Sequence, residues 1–343
     1  MRVVTGGEPV GVALIGSGRM GSFHGETLAR RIPGARLVAV ADPAPGAAER
    51  LAAVLGAERA STDPAETLAD PAVEAVVIAA PARFHVDLVV AAAAAGKAVF
   101  CEKPMALTLA DADRAIGAAR AAGVVLQVGF NRRFAADWAA ARALLEEGRL
   151  GTPRLLRSVT RDPGGFDPSR VPPGTIFNET LIHDFDTLRF LNPGAEPVQV
   201  HATADALVET DWRDRGLLDT AVVVVRFDNG AIGIAEACFE AAYGYDVRGE
   251  VLGSQGMATM GDGRRTGMVF SGAAGRSVET VRSDQELLAS AYVAELATFT
   301  EAVRTGAPVP AGGEDARAAL AIALAAAESV GAGRPVRIDE VAT

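Results

Sequence analysis

The chain is poor in cysteine, in aromatic residues and in clustered positive charge, and it has no apolar run of membrane length. Its two cysteines, Cys101 and Cys238, cannot build a disulfide framework, so a reducing, cytoplasmic compartment is expected. Aromatics make up 5% of the 343 residues, and alanine is abundant, so the helices should pack closely through small side chains. The net charge is −10, with no Lys/Arg cluster to override it. Such a surface repels phosphate backbones and excludes nucleic-acid binding. The most apolar stretches, 86–96 and 318–327, fall short of the roughly 20 residues a membrane span needs. Residues 1–8 lack the apolar segment of an export signal. Neither a membrane span nor export is expected.

What is present points to a folded protein of two domains. The length exceeds the roughly 250–300 residues at which a single core stops growing. The 49% apolar content supports a substantial interior. In the first third, strand and helix alternate. Apolar runs at 10–15, 37–41, 75–79, 98–101 and 124–128 read as strands, and 20–31, 44–55, 85–95 and 109–122 read as helices. Continuous apolar strands between helices mean a parallel sheet covered on both faces. After Gly129 and a helix at 135–146 the pattern changes. Longer strand-like runs follow at 155–160, 198–204, 220–227, 231–239 and 246–253, with Asp228-Asn229-Gly230 as a hairpin turn between two of them. The Pro/Gly-rich stretch 162–174 reads as a loop over a site, and a helix at 314–330 closes the chain.

Gly16-Ser17-Gly18-Arg19-Met20-Gly21 is G-x-G-x-x-G between the first strand and the first helix. Its glycines allow a tight turn, a close approach to a pyrophosphate and tight helix–strand packing. Asp42 lies 21 residues beyond Gly21, at the end of the second strand. An acid there hydrogen-bonds a ribose 2′-hydroxyl and repels a 2′-phosphate, which favours NAD over NADP. Structural readings compete with both: a simple turn, and a cap before Pro43.

Two further groups carry chemistry. Glu102-Lys103-Pro104 follows the fourth strand, where ligands bind in open α/β sheets. Lys103 there could hold an alcohol oxygen and stabilise a developing alkoxide; the bland alternative is a solvated lysine. In Asn178-Glu179-Thr180-Leu181-Ile182-His183, the spacing predicts a helix with Glu179 and His183 on one face at i and i+4. A neutral His183 can accept the alcohol proton while Glu179 orients the ring. The alternative is a surface ion pair or a buried structural histidine. Two such ligands are too few for a metal, and no other His or Cys cluster supports them, so none is expected.

With these motifs the chain resembles the Gfo/Idh/MocA oxidoreductases, and within them the inositol 2-dehydrogenase-like branch. The resemblance also rests on Gly96-Lys97-Ala98-Val99-Phe100-Cys101 before Glu102, on Gly129-Phe130-Asn131-Arg132-Arg133-Phe134, on Arg161-Asp162-Pro163, on Ile182-His183-Asp184-Phe185-Asp186 and on Tyr243-Gly244-Tyr245-Asp246. It covers nearly the whole chain. It implies an α/β Rossmann domain over 1–129 and an α+β domain over 130–343 with a large, mostly antiparallel open sheet. The last helix, 314–330, would pack back on the first domain. It implies Lys103, Glu179 and His183 as catalytic residues. Arg19, Met20, Ala80, Pro81, His85 and Glu102 would join Gly16, Gly18, Gly21 and Asp42 around the cofactor. Arg132, Arg133, Arg161 and Tyr245 would lie near a polyol or sugar. A homotetramer or homodimer is implied as well. In one departure, Glu179 stands where the family usually has aspartate, one methylene shorter, which bears on the identity of the substrate. Two other functions compete with a dehydrogenase: an NAD-retaining glycosidase or lyase of the same fold, and a non-catalytic NAD-binding sensor. The presence of both Lys103 and His183 argues against the sensor.

Overall fold

A computed structural model describes residues 8–341 apart from 166, 168 and 170. The reading of 1–8 therefore falls almost wholly outside the described residues, as do three positions of the 162–174 loop. The chain divides into two compact units. One comprises 1–131 and 292–317, the other 132–291 and 318–343.

The first unit runs β1 (Val10–Ile15), α1 (Arg19–Arg30), β2 (Ala35–Ala41), α2 (Ala47–Leu55), β3 (Arg59–Ser61), α3 (Pro64–Ala69), β4 (Ala75–Ile78), α4 (His85–Ala94), β5 (Ala98–Cys101), α5 (Leu109–Ala122) and β6 (Leu126–Val128). Its six strands lie in the order β3-β2-β1-β4-β5-β6, all parallel. Every residue of β1, β4 and β5 is buried, as a sheet covered on both faces requires. Leu14, Val77 and Phe100 form its core with Leu296 and Phe299, which come from the helix Ala289–Thr305. Phe100 and Phe299 meet edge to face at 5.9 Å. The order reverses between β1 and β4, and the glycine loop opens there, at the carboxyl ends of the strands.

The second unit contains α6 (Ala136–Glu146), β7 (Pro153–Arg161), a π-helical turn (Ile176–Thr180), α7 (Leu181–Phe190), β8 (Pro197–Asp205), β9 (Thr220–Phe227), β10 (Ile232–Cys238), β11 (Asp246–Gly253), β12 (Met257–Met260), a separate hairpin of β13 (Arg264–Gly272) and β14 (Gly275–Thr280), and β15 (Val336–Arg337). Seven strands form one sheet in the order β12-β11-β7-β10-β9-β8-β15. Every pairing is antiparallel except that of β7 with β10. The Asp228-Asn229-Gly230 turn closes the β9–β10 hairpin, with Gly230 at φ +86°. Helix α7 lies so close to the sheet that a Cβ on Gly233 would come within 2.9 Å of Leu188. No helix among the described residues is long and apolar enough to cross a membrane.

Candidate active site

The glycine loop has the shape a pyrophosphate needs. Gly16 sits at φ +101°, and a Cβ there would lie 2.7 Å from the Ala79 carbonyl group. A Cβ on Gly21 would lie 1.9 Å from the Gly16 carbonyl oxygen, so α1 can seat on β1 only with glycine there. Gly18 differs: it is the N-cap of α1, and nothing stands within 4 Å of where its Cβ would be. No side chain caps α1 and its first turn holds no acid, so the positive end of the helix dipole favours an anion at the glycine loop. Gly18 and Arg19 are exposed and Met20 is half-buried at this edge. The residues present fit NAD.

Asp42 is tied to the same loop. Its Oδ2 accepts the Ser17 N–H and hydroxyl, both at 2.7 Å, and its Oδ1 accepts the Ala44 N–H at 2.9 Å. Burial alone would raise its pKa, but these bonds outweigh burial and hold it below the usual carboxylate value. Ser17 was missed in the sequence because it fills a variable position of the glycine motif.

Beyond β4 and β5 lie Ala80-Pro81 and Glu102-Lys103-Pro104. Lys103 is half-buried, while Glu102 is 7% exposed. The Glu102 carboxylate turns inward. One oxygen lies 2.6 Å from His24 Nε2 and the other accepts the Lys103 N–H at 3.0 Å. Gly129 leaves room for it; a Cβ there would come within 3.2 Å of the carboxylate. Burial works against the charge on Glu102, but the His24 hydrogen bond and the nearby Lys103 hold its pKa below the usual value. Glu295, fully buried beside them, goes the other way. Burial and then the Glu102 charge push its carboxyl well above the usual carboxylate value. Donor atoms of His24, Glu102 and Glu295 lie within 4.8 Å of one another, a spacing a cation could bridge. His85 is 1% exposed, with Nδ1 at 2.8 Å from the Pro104 carbonyl oxygen and Nε2 at 2.7 Å from that of Ala80. Cys101 is fully buried, and burial pushes its thiol well up, so it is no nucleophile.

In the second unit, His183 is half-buried in the first turn of α7, and Glu179 is half-buried in the π-helical turn before it. The π-turn leads directly into the first turn of α7, and such turns are frequent at functional sites. Arg132 and Arg133 are held inside the unit. Arg132 donates to Asp184 at 2.7 Å, Thr160 at 2.5 Å and Ser158 at 3.3 Å; Arg133 forms a two-pronged pair with Asp186 at 2.8 and 2.5 Å. Arg161, at the end of β7, reaches Tyr243 Oη at 3.2 Å and Glu236 at 3.3 Å. Tyr245 is half-buried, and burial followed by the charge of Asp162 pushes its phenol well up, so it stays protonated.

Comparison with known proteins agrees with this geometry. Residues 10–130 match the oxidoreductase family with an NAD-binding Rossmann fold, and 138–259 match the GFO/IDH/MocA C-terminal domain. The chain is 39% identical to a myo-inositol 2-dehydrogenase of Thermotoga maritima, over 96% of this chain and 99% of that one. It is 37% identical to a scyllo-inositol 2-dehydrogenase (NAD(+)) of Bacillus subtilis, over 95% and 96%. A scyllo-inositol dehydrogenase from Lactobacillus casei, solved with NAD(H) and scyllo-inositol bound, superposes with a TM-score of 0.92 at 26% identity, covering 97% of this chain and all of that one. The chain belongs to the Gfo/Idh/MocA oxidoreductase family, in its inositol 2-dehydrogenase-like branch.

Proposed function

We propose that this protein oxidises a secondary ring alcohol of a cyclitol with NAD. The observation that carries the reading is Lys103. It stands at the carboxyl end of β5, in the same sheet as the glycine loop and two strands away from β1. The relatives' names supply the substrate class. Bound NAD supplies a hydride acceptor. Lys103 holds the alcohol oxygen and stabilises its developing negative charge. His183 takes the hydroxyl proton and Glu179 orients its ring. Asp42 holds the ribose diol and disfavours a 2′-phosphate. Two unbridged cysteines fit a cytoplasmic setting. A homotetramer or homodimer completes the reading.

The test is NADH absorbance with NAD and a panel of inositols, aminocyclitols, deoxycyclitols and aldoses, each supplied singly. Turnover with a cyclitol is expected. Silence across the panel, with NAD still bound by calorimetry, would overturn the reading. The longer Glu179 side chain directs attention to amino- and deoxy-cyclitols; inositols outperforming them in kcat/KM would remove that refinement. Lys103→Ala should lower kcat about 10²–10³-fold and His183→Ala about 10²–10⁴-fold, with NAD affinity little changed. Near-normal turnover in either variant would remove the role given to that residue.

A further inference from the structure

Lys103 stands between two residues, each fastened to a buried histidine from a different helix. Before it, Glu102 is bonded to His24 of α1 and accepts the N–H of Lys103 itself. After it, the Pro104 carbonyl is bonded to His85 of α4, whose other nitrogen reaches Ala80 beyond the neighbouring strand. Both His85 ring nitrogens thus lie within hydrogen-bonding distance of backbone carbonyl oxygens on either side of the site. His24 and His85 are 0% and 1% exposed, so both hold the 102–104 backbone from inside the fold.

We propose that His24 and His85 are positioning residues that hold the 102–104 backbone and thereby aim the Lys103 ammonium. The inference rests on the role given to Lys103 above. A lysine side chain is long and flexible, so its reach is defined only as well as its backbone is. A displacement of about 1 Å at a reacting group costs on the order of 10²-fold in rate, which gives a two-sided brace a catalytic purpose. Glu102 needs His24 for a second reason. A carboxylate 7% exposed is stable only while partnered, and losing the partner would turn it away from the Lys103 amide.

Two measurements separate this inference from the reading it rests on. The first is amide hydrogen exchange at Lys103 in the cofactor-free protein, for wild type, His24→Leu, His85→Leu and the donor-retaining His24→Gln and His85→Gln. The Leu variants should exchange at least about tenfold faster, and the Gln variants should recover part of the protection. The second is kcat and KM for NAD with the best panel substrate, in the same variants and on a Lys103→Ala background. The Leu variants should lose about 10–10²-fold in kcat with KM for NAD within about twofold, and adding them to Lys103→Ala should cost nothing further. Unchanged exchange at Lys103 overturns the inference whatever Lys103 does. Faster exchange with normal turnover, in these variants and in Lys103→Ala, removes the reading of Lys103 and the inference with it. Additive losses on the Lys103→Ala background place the histidines' effect elsewhere and overturn the inference alone. Should the Leu variants fail to fold, the Gln pair bears the same comparisons.

Discussion

At Asp42 burial and hydrogen bonding compete, and hydrogen bonding prevails. Three donors hold a half-buried carboxylate ionised, with Ser17 contributing two of them. A depressed folded-state pKa contributes stability above the unfolded value, and that contribution is lost as pH falls through the folded one. The discrimination against a 2′-phosphate that we propose for Asp42 would therefore hold at neutral pH and fade only in acid. Asp42→Ala removes a charge-assisted bond of roughly 1.5–3 kcal/mol, so NAD affinity should fall about tenfold to a hundredfold and NADP should gain on it. Calorimetry with both nucleotides checks this; an unchanged preference would assign discrimination to another residue. Residue identity was more legible than residue task. Arg132 and Arg133 stand out in the sequence as a charged pair in a family motif. Only the fold shows their guanidinium groups matched to Asp184 and Asp186, because that pairing spans more than 50 positions of chain.

Among elements, legibility followed apolar continuity. β1, β5, α5, β9 and β11 begin and end where the sequence pattern does, since each is bounded by a turn residue or a change of polarity. The misses have physical causes. β3 has three residues, none buried, at the sheet edge, and β13 has nine exposed residues in a detached hairpin, so neither carries a periodic pattern. α3 begins with the Asp63 cap and Pro64, a clear start signal, but six residues are too few to show a period. The helix Ala289–Thr305 carries Tyr292, Leu296 and Phe299 into the interior, and the buried Glu295 between them disguises its apolar face. The π-turn before His183 has no signal in the sequence, because a wider helical turn needs no residue type of its own. The glycine loop was fully legible, and its three glycines should separate in experiment. Gly21→Ala forces a backbone clash and should lower Tm by several degrees. Gly18→Ala meets nothing and sits at φ −67°, so Tm should hold while NAD affinity falls. Equal effects on Tm and affinity in the two variants would contradict the division of labour.

At the scale of the whole molecule, the unresolved question in the sequence pattern is the second sheet. One face is packed by α7, and alternation along the strands turns a second set of side chains outward. Register places Met257 of β12 beside Leu252 of β11, Leu252 beside Leu155 of β7, and Leu155 beside Ile232 of β10. These four residues form an apolar stripe across four adjacent strands, with Met257 56%, Ile232 42% and Leu252 39% exposed. Val222, 39% exposed, continues the outward face on β9. Scattered exposed hydrophobics are ordinary, but a stripe in register is a surface that a partner would favourably cover. A second copy of the chain is the occupant our functional reading names, and a self-complementary sheet face suits a two-fold interface. Ile232→Glu places a charge at the β10 end of the stripe, and within an interface an unpaired charge costs several kcal/mol. Light scattering should find wild type as a dimer or tetramer and Ile232→Glu as a smaller species, with circular dichroism unchanged because the side chain points away from the core. A monomeric wild type would leave the stripe without that occupant, and an Ile232→Glu variant of unchanged mass would move the interface to another surface.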